Sequence, residues 1–527
     1  MSGREQREQK EAAPGGVGRS AAQLLMGNLT SRLLGFLREI LYAHFFGAGH
    51  LMDAFFVAQT IPAFLERSFG EGASTVAVIR WHRDLRSKGR ATAAAAFRLL
   101  SWRGLLLLGL ACIFQASTSE SLVRLLAPGF GADDVARAAR LTVLLAPLGI
   151  GLVGRKALSG LLTAQYRFPA VAATPVLINI TLIAVVTLFH RSLGTDAIAL
   201  GLLAANLIGL GFLALAARSV LLAPAPERGD RRAARRSTRN AQRLMLPIVG
   251  AATVGQLGLI TDRFLASSMG PGSVSALFYA WRLLSIPAAL LTSSIPTAVY
   301  PRICALAAAN DNAALTRFLG LALRGTLLLL LPAACTMFAL REPLVRVVFQ
   351  HGAFDAQATR ITASVLGFYL FVFVAQVPLT LFSRTYHALA DTTTPVVAST
   401  VTMFLNIGLS IALARPMGVQ GLALATAIAE LLNLGASFLI LRGRLGPILD
   451  SSVWWLLLKA SALALAGALA ARSCFFYFDP LLPGWAAPIS FAASVLLALL
   501  LYSGALLALR VDEAWQAWAR GRRLLGW

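Results

Sequence analysis

Hydrophobic runs of about 20 residues recur from one end of the chain to the other, and they constrain the fold more than any other feature. Each run is long enough to cross the hydrocarbon core of a bilayer as an α-helix, whereas barrel strands would alternate more weakly over about 10 residues. Of the 527 residues, 57% are hydrophobic and only 13% are charged, against an average of about 25% charged residues in soluble proteins. The sequence therefore predicts an all-α, polytopic membrane protein.

The number and spacing of the runs predict about 14 transmembrane helices, arranged as two parallel six-helix repeats followed by two C-terminal helices. The predicted limits are 20–46, 53–79, 92–115, 138–165, 172–190, 196–217, 244–267, 274–300, 318–340, 361–386, 395–413, 419–441, 453–472 and 486–509. The predicted segments are a cytoplasmic tail (1–19), the first repeat (20–217), a basic cytoplasmic linker (218–243), the second repeat (244–441), an extra helix pair (453–509) and a basic cytoplasmic tail (510–527).

The two repeats are predicted from motifs that recur in one order at an offset of about 220–224 residues. ESLVRLLAPGF at 120–130 matches EPLVRVVFQHGAF at 342–354, and LLTAQYRFPAVAATPV at 161–176 matches LFSRTYHALADTTTPV at 381–396. Six spans is an even number, so both repeats would enter the membrane from the same side. Two such halves with a cleft between them suit alternating access.

The formal net charge of +23 is carried mostly by loops on one side of the predicted membrane, with Arg124 and Arg346 as exceptions. That distribution follows the positive-inside rule, so it predicts cytoplasmic termini and contact with anionic membrane lipid, and it argues against a nucleic-acid partner. The polar first 19 residues lack a short hydrophobic region with a cleavage site, so the first helix is predicted to be an uncleaved anchor.

Cysteine and histidine give no sign of a catalytic or metal site. The four cysteines and six histidines are scattered singly, without metal-ligand spacing or a nucleophile–base pair. The predicted cytoplasmic loops are short and basic, without the acid cluster or DxD motif of a lipid-linked sugar transferase. The sequence therefore predicts no enzyme activity, no catalytic residue, no metal and no cofactor.

Charged residues inside the hydrophobic runs are the functional signal. A guanidinium at mid-bilayer depth costs roughly 2.5–3.5 kcal/mol on insertion scales, so it normally faces a protein interior or a watery cavity. Arg32 and Arg38 lie six residues apart in span one, so their directions differ by about 120° and they would border a wide cavity. Alternatively, either could pair with an acid. Arg282 lies in the outer half of span eight, and Arg155 and Lys156 lie midway in span four.

A cavity rich in arginine favours an anionic substrate, because the planar guanidinium forms paired hydrogen bonds with a diphosphate or a carboxylate. The candidate substrate-binding residues are Arg32, Arg38, Asp53, Arg67 and Arg282, and the candidate modulators are Glu66, Glu71, Arg155 and Lys156.

Several of these residues have an alternative, structural interpretation. Asp53 could instead cap the N-terminus of span two, and Arg67 could pair with Glu71 four residues on. Asp262 and Arg263, adjacent at the end of span seven, are expected to form a surface ion pair or to snorkel.

At these residues the sequence resembles the MurJ/MviN family of lipid II flippases, within the larger group of multidrug, oligosaccharidyl-lipid and polysaccharide exporters. The matching residues, which extend over nearly the whole chain, are Ser31-Arg32, Leu34-Gly35-Phe36, Arg38-Glu39, Phe46-Gly47-Ala48-Gly49, Asp53-Ala54-Phe55-Phe56-Val57-Ala58, Pro62, Glu71-Gly72-Ala73, Ala127-Pro128-Gly129-Phe130, Arg167-Phe168, Pro169, Pro175, Asn179-Ile180, Arg282-Leu283, Gly352, Phe354 and Thr394-Pro395.

The resemblance implies a bacterial inner-membrane flippase that moves an undecaprenyl diphosphate bearing a disaccharide-pentapeptide from the cytoplasmic to the periplasmic leaflet. It implies cell-wall synthesis proteins as further partners, and a groove for the polyprenyl tail beside spans thirteen and fourteen. The cavity arginines of the family match Arg32, Arg38 and Arg282, and its cavity acid matches Asp53. Two positions depart from the family pattern: Glu66 replaces an arginine, and Trp281 stands where an acid is common.

Other functions fit parts of the pattern. A related transporter could carry another polyprenyl-linked glycan or a drug, although a drug–cation antiporter should prefer acids to arginines in its cavity. A non-transporting membrane scaffold would use the basic loops alone, and its intramembrane arginines would tolerate replacement.

Overall fold

The computed structural model describes residues 14–69, 90–222, 255–449, 451–481 and 486–509, with a few positions between 234 and 253. These described residues are α-helical, apart from turns, a π-helical turn at 66–69 and a short 3-10 helix at Asp479–Leu481, and they contain no strand. Glu71, most of the 218–243 linker and the 510–527 tail lie outside the described residues.

The chain divides into two compact units, residues 1–275 and 276–527. In the described ranges the helices before Ser273 are α1 (Pro14–Phe46), α2 (His50–Leu65), α3 (Arg90–Ser117), α4 (Ser119–Leu126), α5 (Ala132–Leu145), α6 (Leu148–Ala164), α7 (Phe168–Leu193), α8 (Asp196–Ala216), α9 (Arg218–Leu221) and α10 (Leu257–Ala266). The boundary of the units falls near the start of α11 (Ser273–Ala308). The helices after it are α12 (Asn312–Ala339), α13 (Arg341–Phe349), α14 (Ala356–Ala388), α15 (Thr393–Met417), α16 (Val419–Leu445), α17 (Ser451–Phe478) and α18 (Ala487–Ala508).

The predicted fold class is confirmed. Within the described residues, 11 helical segments are long and apolar enough to cross a membrane. The first, second and seventh predicted spans fall on α1, α2 and α10; α2 and α10 lie close to residues that the structure does not describe, so the count of 14 stays a prediction. Span four was predicted as one helix over 138–165, but the structure has α5 and α6 with a turn at Ala146 and Pro147 between them.

Local structure repeats at the offset seen in the sequence. The short helices α4 and α13 carry the two Leu-Val-Arg motifs. The hairpins α7–α8 and α15–α16 both turn through a glycine with positive φ, at Gly194 (φ 55°) and Gly418 (φ 59°). Glycine is favoured there because a Cβ would clash with the backbone. A duplication predicts such pairs, although the boundaries of the repeats stay a prediction.

Each unit packs its helices around a core of leucine, alanine and aromatic side chains. In the first unit Phe97 and Leu161 are buried in such a cluster, and in the second unit Phe382 and Leu441 are buried in another. The exposed face of α15 is also apolar, and it carries Val397, Val401, Phe404 and Ile411. An exposed apolar face at helical spacing suits contact with lipid tails.

The α15–α16 hairpin depends on a glycine that allows close backbone approach. A Cβ added to Gly421 would lie 2.3 Å from the carbonyl oxygen of Leu413. We expect Gly421→Ala to lower the stability of the purified protein by about 1–3 kcal/mol, the usual cost of overpacking, measured as thermal unfolding in detergent.

Gly435→Ala in the same helix is the matched control, because a Cβ there meets nothing within 4 Å. It should leave stability unchanged or raise it by up to about 1 kcal/mol, since alanine favours helix over glycine. Equal effects of the two substitutions would contradict the proposed role of the close contact.

Candidate functional site

Arg38 is anchored on α1 by a neighbouring acid and by an amide on α7. Its Nη2 pairs with the buried carboxylate of Glu39, and its Nη1 donates a hydrogen bond of 3.2 Å to Oδ1 of Asn179. The side-chain nitrogen of Asn179 donates in turn to the backbone oxygen of Ser31 at 3.1 Å and of Pro175 at 3.0 Å. Asn179 therefore orients the guanidinium of Arg38 while it ties α1 to α7.

The other two arginines of the resemblance occupy different settings. Arg32 is exposed on α1, six residues before Arg38. Arg282 is half-buried on α11 and belongs to the second unit. Trp281, beside it, packs edge-on against Tyr369 with ring centroids 5.6 Å apart.

Asp53 caps the N-terminus of α11. Its carboxylate accepts hydrogen bonds from the backbone N–H groups of Gly272 and Ser275, each at 2.7 Å, and from the hydroxyl of Ser275. The side chain is only 3% exposed. A buried carboxylate is well placed there, because the first N–H groups of a helix lack intrahelical partners and carry partial positive charge. Both carboxylate oxygens are therefore engaged, and the helix that Asp53 caps is α11 rather than its own.

The turn before α11 is shaped for this contact. Gly272 has a positive φ of 85°, and a Cβ there would lie 2.9 Å from the carbonyl oxygen of Ala48. The two glycine turns, GAG at 47–49 and GPG at 270–272, thus lie against each other.

The expectation that Asp262 and Arg263 form a surface ion pair or snorkel is wrong for Arg263, because its side chain is buried. Arg263 is only 8% exposed, and its Nη1 donates a 3.1 Å hydrogen bond to the carbonyl oxygen of Val274 in the first turn of α11. The chain folds back after α10, so this arginine supports the helix start that Asp53 caps.

Glu66 lies beside two cations of α6. One of its carboxylate oxygens is 3.6 Å from Nη2 of Arg155 and 3.7 Å from Nζ of Lys156. Nε of Arg155 also donates a 3.3 Å hydrogen bond to Oδ1 of Asn206 on α8. Glu66 opens a π-helical turn at 66–69 that follows α2; such turns are frequent at functional sites. Together, the carboxylate of Glu66 and the cations Arg155 and Lys156 carry one net positive charge.

Arg67 points away from that cluster and is exposed. Its Nη1 donates a 3.0 Å hydrogen bond to Oε1 of Gln256, at the start of α10. The alternative pairing of Arg67 with Glu71 lies outside the described residues.

The structure thus brings Glu66, Arg155 and Lys156 together and holds Arg38 and Asp53 in two separate networks. Sequence reasoning assigned no site role to the amides that hold the arginines, namely Asn179, Asn206 and Gln256. The sequence signal for these amides was a polar side chain inside a hydrophobic run, because a buried polar group needs a hydrogen-bond partner.

Comparisons with known proteins agree with the resemblance. The model of a family described as lipid II flippase MurJ matches residues 42–495. A probable lipid II flippase MurJ of Rhizobium meliloti is 31% identical over 487 residues, covering 88% of this chain and 86% of that protein. The lipid II flippase MurJ of Burkholderia cenocepacia is 29% identical over 465 residues, covering 86% of this chain and 89% of that protein.

Solved structures match the fold. A lipid II flippase MurJ in an inward closed conformation superposes with a TM-score of 0.74 at 24% identity, over 92% of this chain and 99% of that one. An inward-facing multidrug transporter of the MATE family superposes with a TM-score of 0.64 at 16% identity, over 79% of this chain and 95% of that one. At these identities the superpositions show a common fold and nothing about the substrate.

The Asp53 cap makes a stability prediction. Asp53→Ala would leave the N–H groups of Gly272 and Ser275 buried without an acceptor, at about 1–3 kcal/mol for each group. We expect a lower unfolding temperature in detergent. Asp133→Ala, which removes an exposed carboxylate from the same unit, is the control and should change little; equal effects of the two would contradict the cap.

Proposed function

The chain belongs to the lipid II flippase MurJ family, and we propose from this membership that it moves lipid II, an undecaprenyl-diphosphate-linked peptidoglycan precursor, across the bacterial inner membrane. The headgroup would pass from the cytoplasmic to the periplasmic leaflet by alternating access, with both termini in the cytoplasm. The observation that carries the proposal is the family match over residues 42–495, which spans most of the chain.

The charges of the first unit support an anionic headgroup. Arg38, Arg155 and Lys156 lie in helices of the membrane-embedded bundle, where Arg38 pairs with Glu39, and Arg155 and Lys156 share Glu66. Arginine binds diphosphate well, because its planar fork presents parallel N–H donors to phosphate oxygens.

Arg32, Arg38 and Arg282 are the residues that we assign to the diphosphate, and Arg67 is a fourth candidate. Arg38 is held in place by Asn179, so it would meet the substrate in a fixed orientation. Asp53 has a different part: its oxygens are occupied by the start of α11, so it would act by holding that helix rather than by contacting the headgroup.

The direct test is reconstitution of the purified protein into lipid vesicles with labelled lipid II. Headgroups should become accessible in the opposite leaflet when the protein is present and stay inaccessible in protein-free vesicles. A reconstituted, folded protein that moves no lipid II would reject the proposal.

The arginines can be tested by substitution. Arg32→Ala, Arg38→Ala and Arg282→Ala should each lower lipid II transport about tenfold or more, because hydrogen bonds to charged groups contribute about 1.5–3 kcal/mol each. Complementation of a flippase-depleted strain is the second measurement. Arg124→Ala is the control, since Arg124 is exposed and pairs with Glu120 four residues earlier on α4. Normal growth with all three arginines replaced would contradict these assignments.

Glu66 makes a charge-swap prediction. Glu66→Arg would place three cations together, because Arg155 and Lys156 already face that position, so the variant should transport poorly. Adding Lys156→Glu restores the opposite pairing and the net charge, and should recover activity. Transport by Glu66→Arg alone at the wild-type rate would show that the cluster does not matter.

A further inference from the structure

A second polar region lies in the second unit, and none of the candidate residues belongs to it. Along α14 the residues Gln376, Leu379, Thr380, Ser383, Arg384 and His387 line one cavity. Their spacing of three and four residues places them on one face of the helix. Polar side chains on one face of a transmembrane helix are costly against lipid, so that face normally borders a watery cavity or a binding site.

Neighbouring helices complete the cavity with polar groups. On α16, Glu430, Asn433 and Ser437 line it, again at helical spacing. Ser399 on α15 and Tyr300 on α11 also line it. The cavity has a volume of about 490 Å³, within the roughly 300–1,000 Å³ of small-molecule sites, so it has room for a sugar ring with its substituents.

Several lining groups are held in place by their neighbours. The guanidinium of Arg384 lies over the ring of Tyr300, 5.3 Å from its centroid. The hydroxyl of Ser437 donates to Oδ1 of Asn433 at 3.3 Å. The hydroxyl of Thr380 donates to the backbone oxygen of Gln376 at 2.9 Å, which leaves its oxygen free to accept from a ligand.

The chemistry of this lining differs from that of the arginines assigned to the diphosphate, Arg32, Arg38 and Arg282. One guanidinium, Arg384, and one carboxylate, Glu430, nearly cancel, and the remaining polar groups are amides, hydroxyls and His387. A diphosphate would prefer several cations, and a cationic drug would prefer acids. Amides, hydroxyls and an aromatic ring suit hydroxyl and acetamide groups, which both donate and accept hydrogen bonds.

We propose that this cavity binds the uncharged saccharide part of the lipid-linked headgroup. The inference rests on the proposed function and adds to it a separate subsite: arginines take the diphosphate, and Gln376, Asn433 and Thr380 hydrogen-bond the sugar.

The test compares two lipids that differ in the headgroup beyond the diphosphate, lipid II and undecaprenyl diphosphate without a sugar, each titrated onto the purified full-length protein. A third lipid, undecaprenyl diphosphate with the disaccharide but without the pentapeptide, separates the sugar from the peptide. The variant carries Gln376→Leu with Asn433→Leu. The control carries Gln357→Leu with Gln420→Leu, which removes two exposed amides from the outer ends of the same helices.

The variant should bind lipid II about tenfold or more weakly, because two hydrogen bonds are lost, and should bind undecaprenyl diphosphate within about twofold of wild type. The variant should weaken binding of the third lipid as it weakens that of lipid II, and an unchanged affinity would overturn the saccharide subsite. The control should match wild type with all three lipids. Thr380→Val removes one hydroxyl without changing the size of the side chain, and it should weaken lipid II binding by a smaller factor. It tests the saccharide subsite if the double variant folds poorly.

The saccharide subsite and the proposed flippase function would be rejected by different results. Equal weakening of lipid II and undecaprenyl diphosphate, no weakening of either, or equal affinity of the wild-type protein for these two lipids would overturn the saccharide subsite alone. A wild-type protein that binds neither lipid would overturn the proposed function, and the subsite with it.

Discussion

The need to satisfy charged side chains away from bulk water governs the arrangement of the first unit. A guanidinium carries five N–H donors, and in an apolar bundle each donor needs an acceptor. Two partly buried arginines receive a side-chain amide as a partner, since Arg38 bonds Asn179 and Arg155 bonds Asn206. The exposed Arg67 bonds a third amide, Gln256. An amide satisfies a donor without cancelling the charge, so it orients a guanidinium while the neighbouring carboxylates Glu39 and Glu66 offset part of the positive charge.

At the start of α11 the buried charge is negative, and it is the charged group that accepts the hydrogen bonds. There the donors are backbone N–H groups of a helix N-terminus, and the acceptor is the buried carboxylate of Asp53. Arg263 adds a bond to the carbonyl oxygen of Val274 in the same turn. Because Asp53 comes from a distant part of the sequence, this helix start depends on tertiary contacts as well as on local propensity.

The sequence predicted the fold class and most helix limits because hydrophobic length is a local property. Span ten was predicted at 361–386, and α14 runs from Ala356 to Ala388. The turn at Pro147 was missed because the run continues through it with apolar residues. The partner of Asp53 could not be predicted, since it lies about 220 residues away in the chain. The burial of Arg263 was missed because it depends on how the chain folds back between α10 and α11. The polar face of α14 was readable from its three- and four-residue spacing, but averaging hydropathy over a whole span conceals it.

The cluster of Glu66, Arg155 and Lys156 has a consequence for interpreting substitutions. One carboxylate lies within 4 Å of two cations, so the three side chains together carry a single positive charge. We therefore expect substitutions at these positions to be epistatic, because the change in local charge that any one of them causes is felt or offset by the other two.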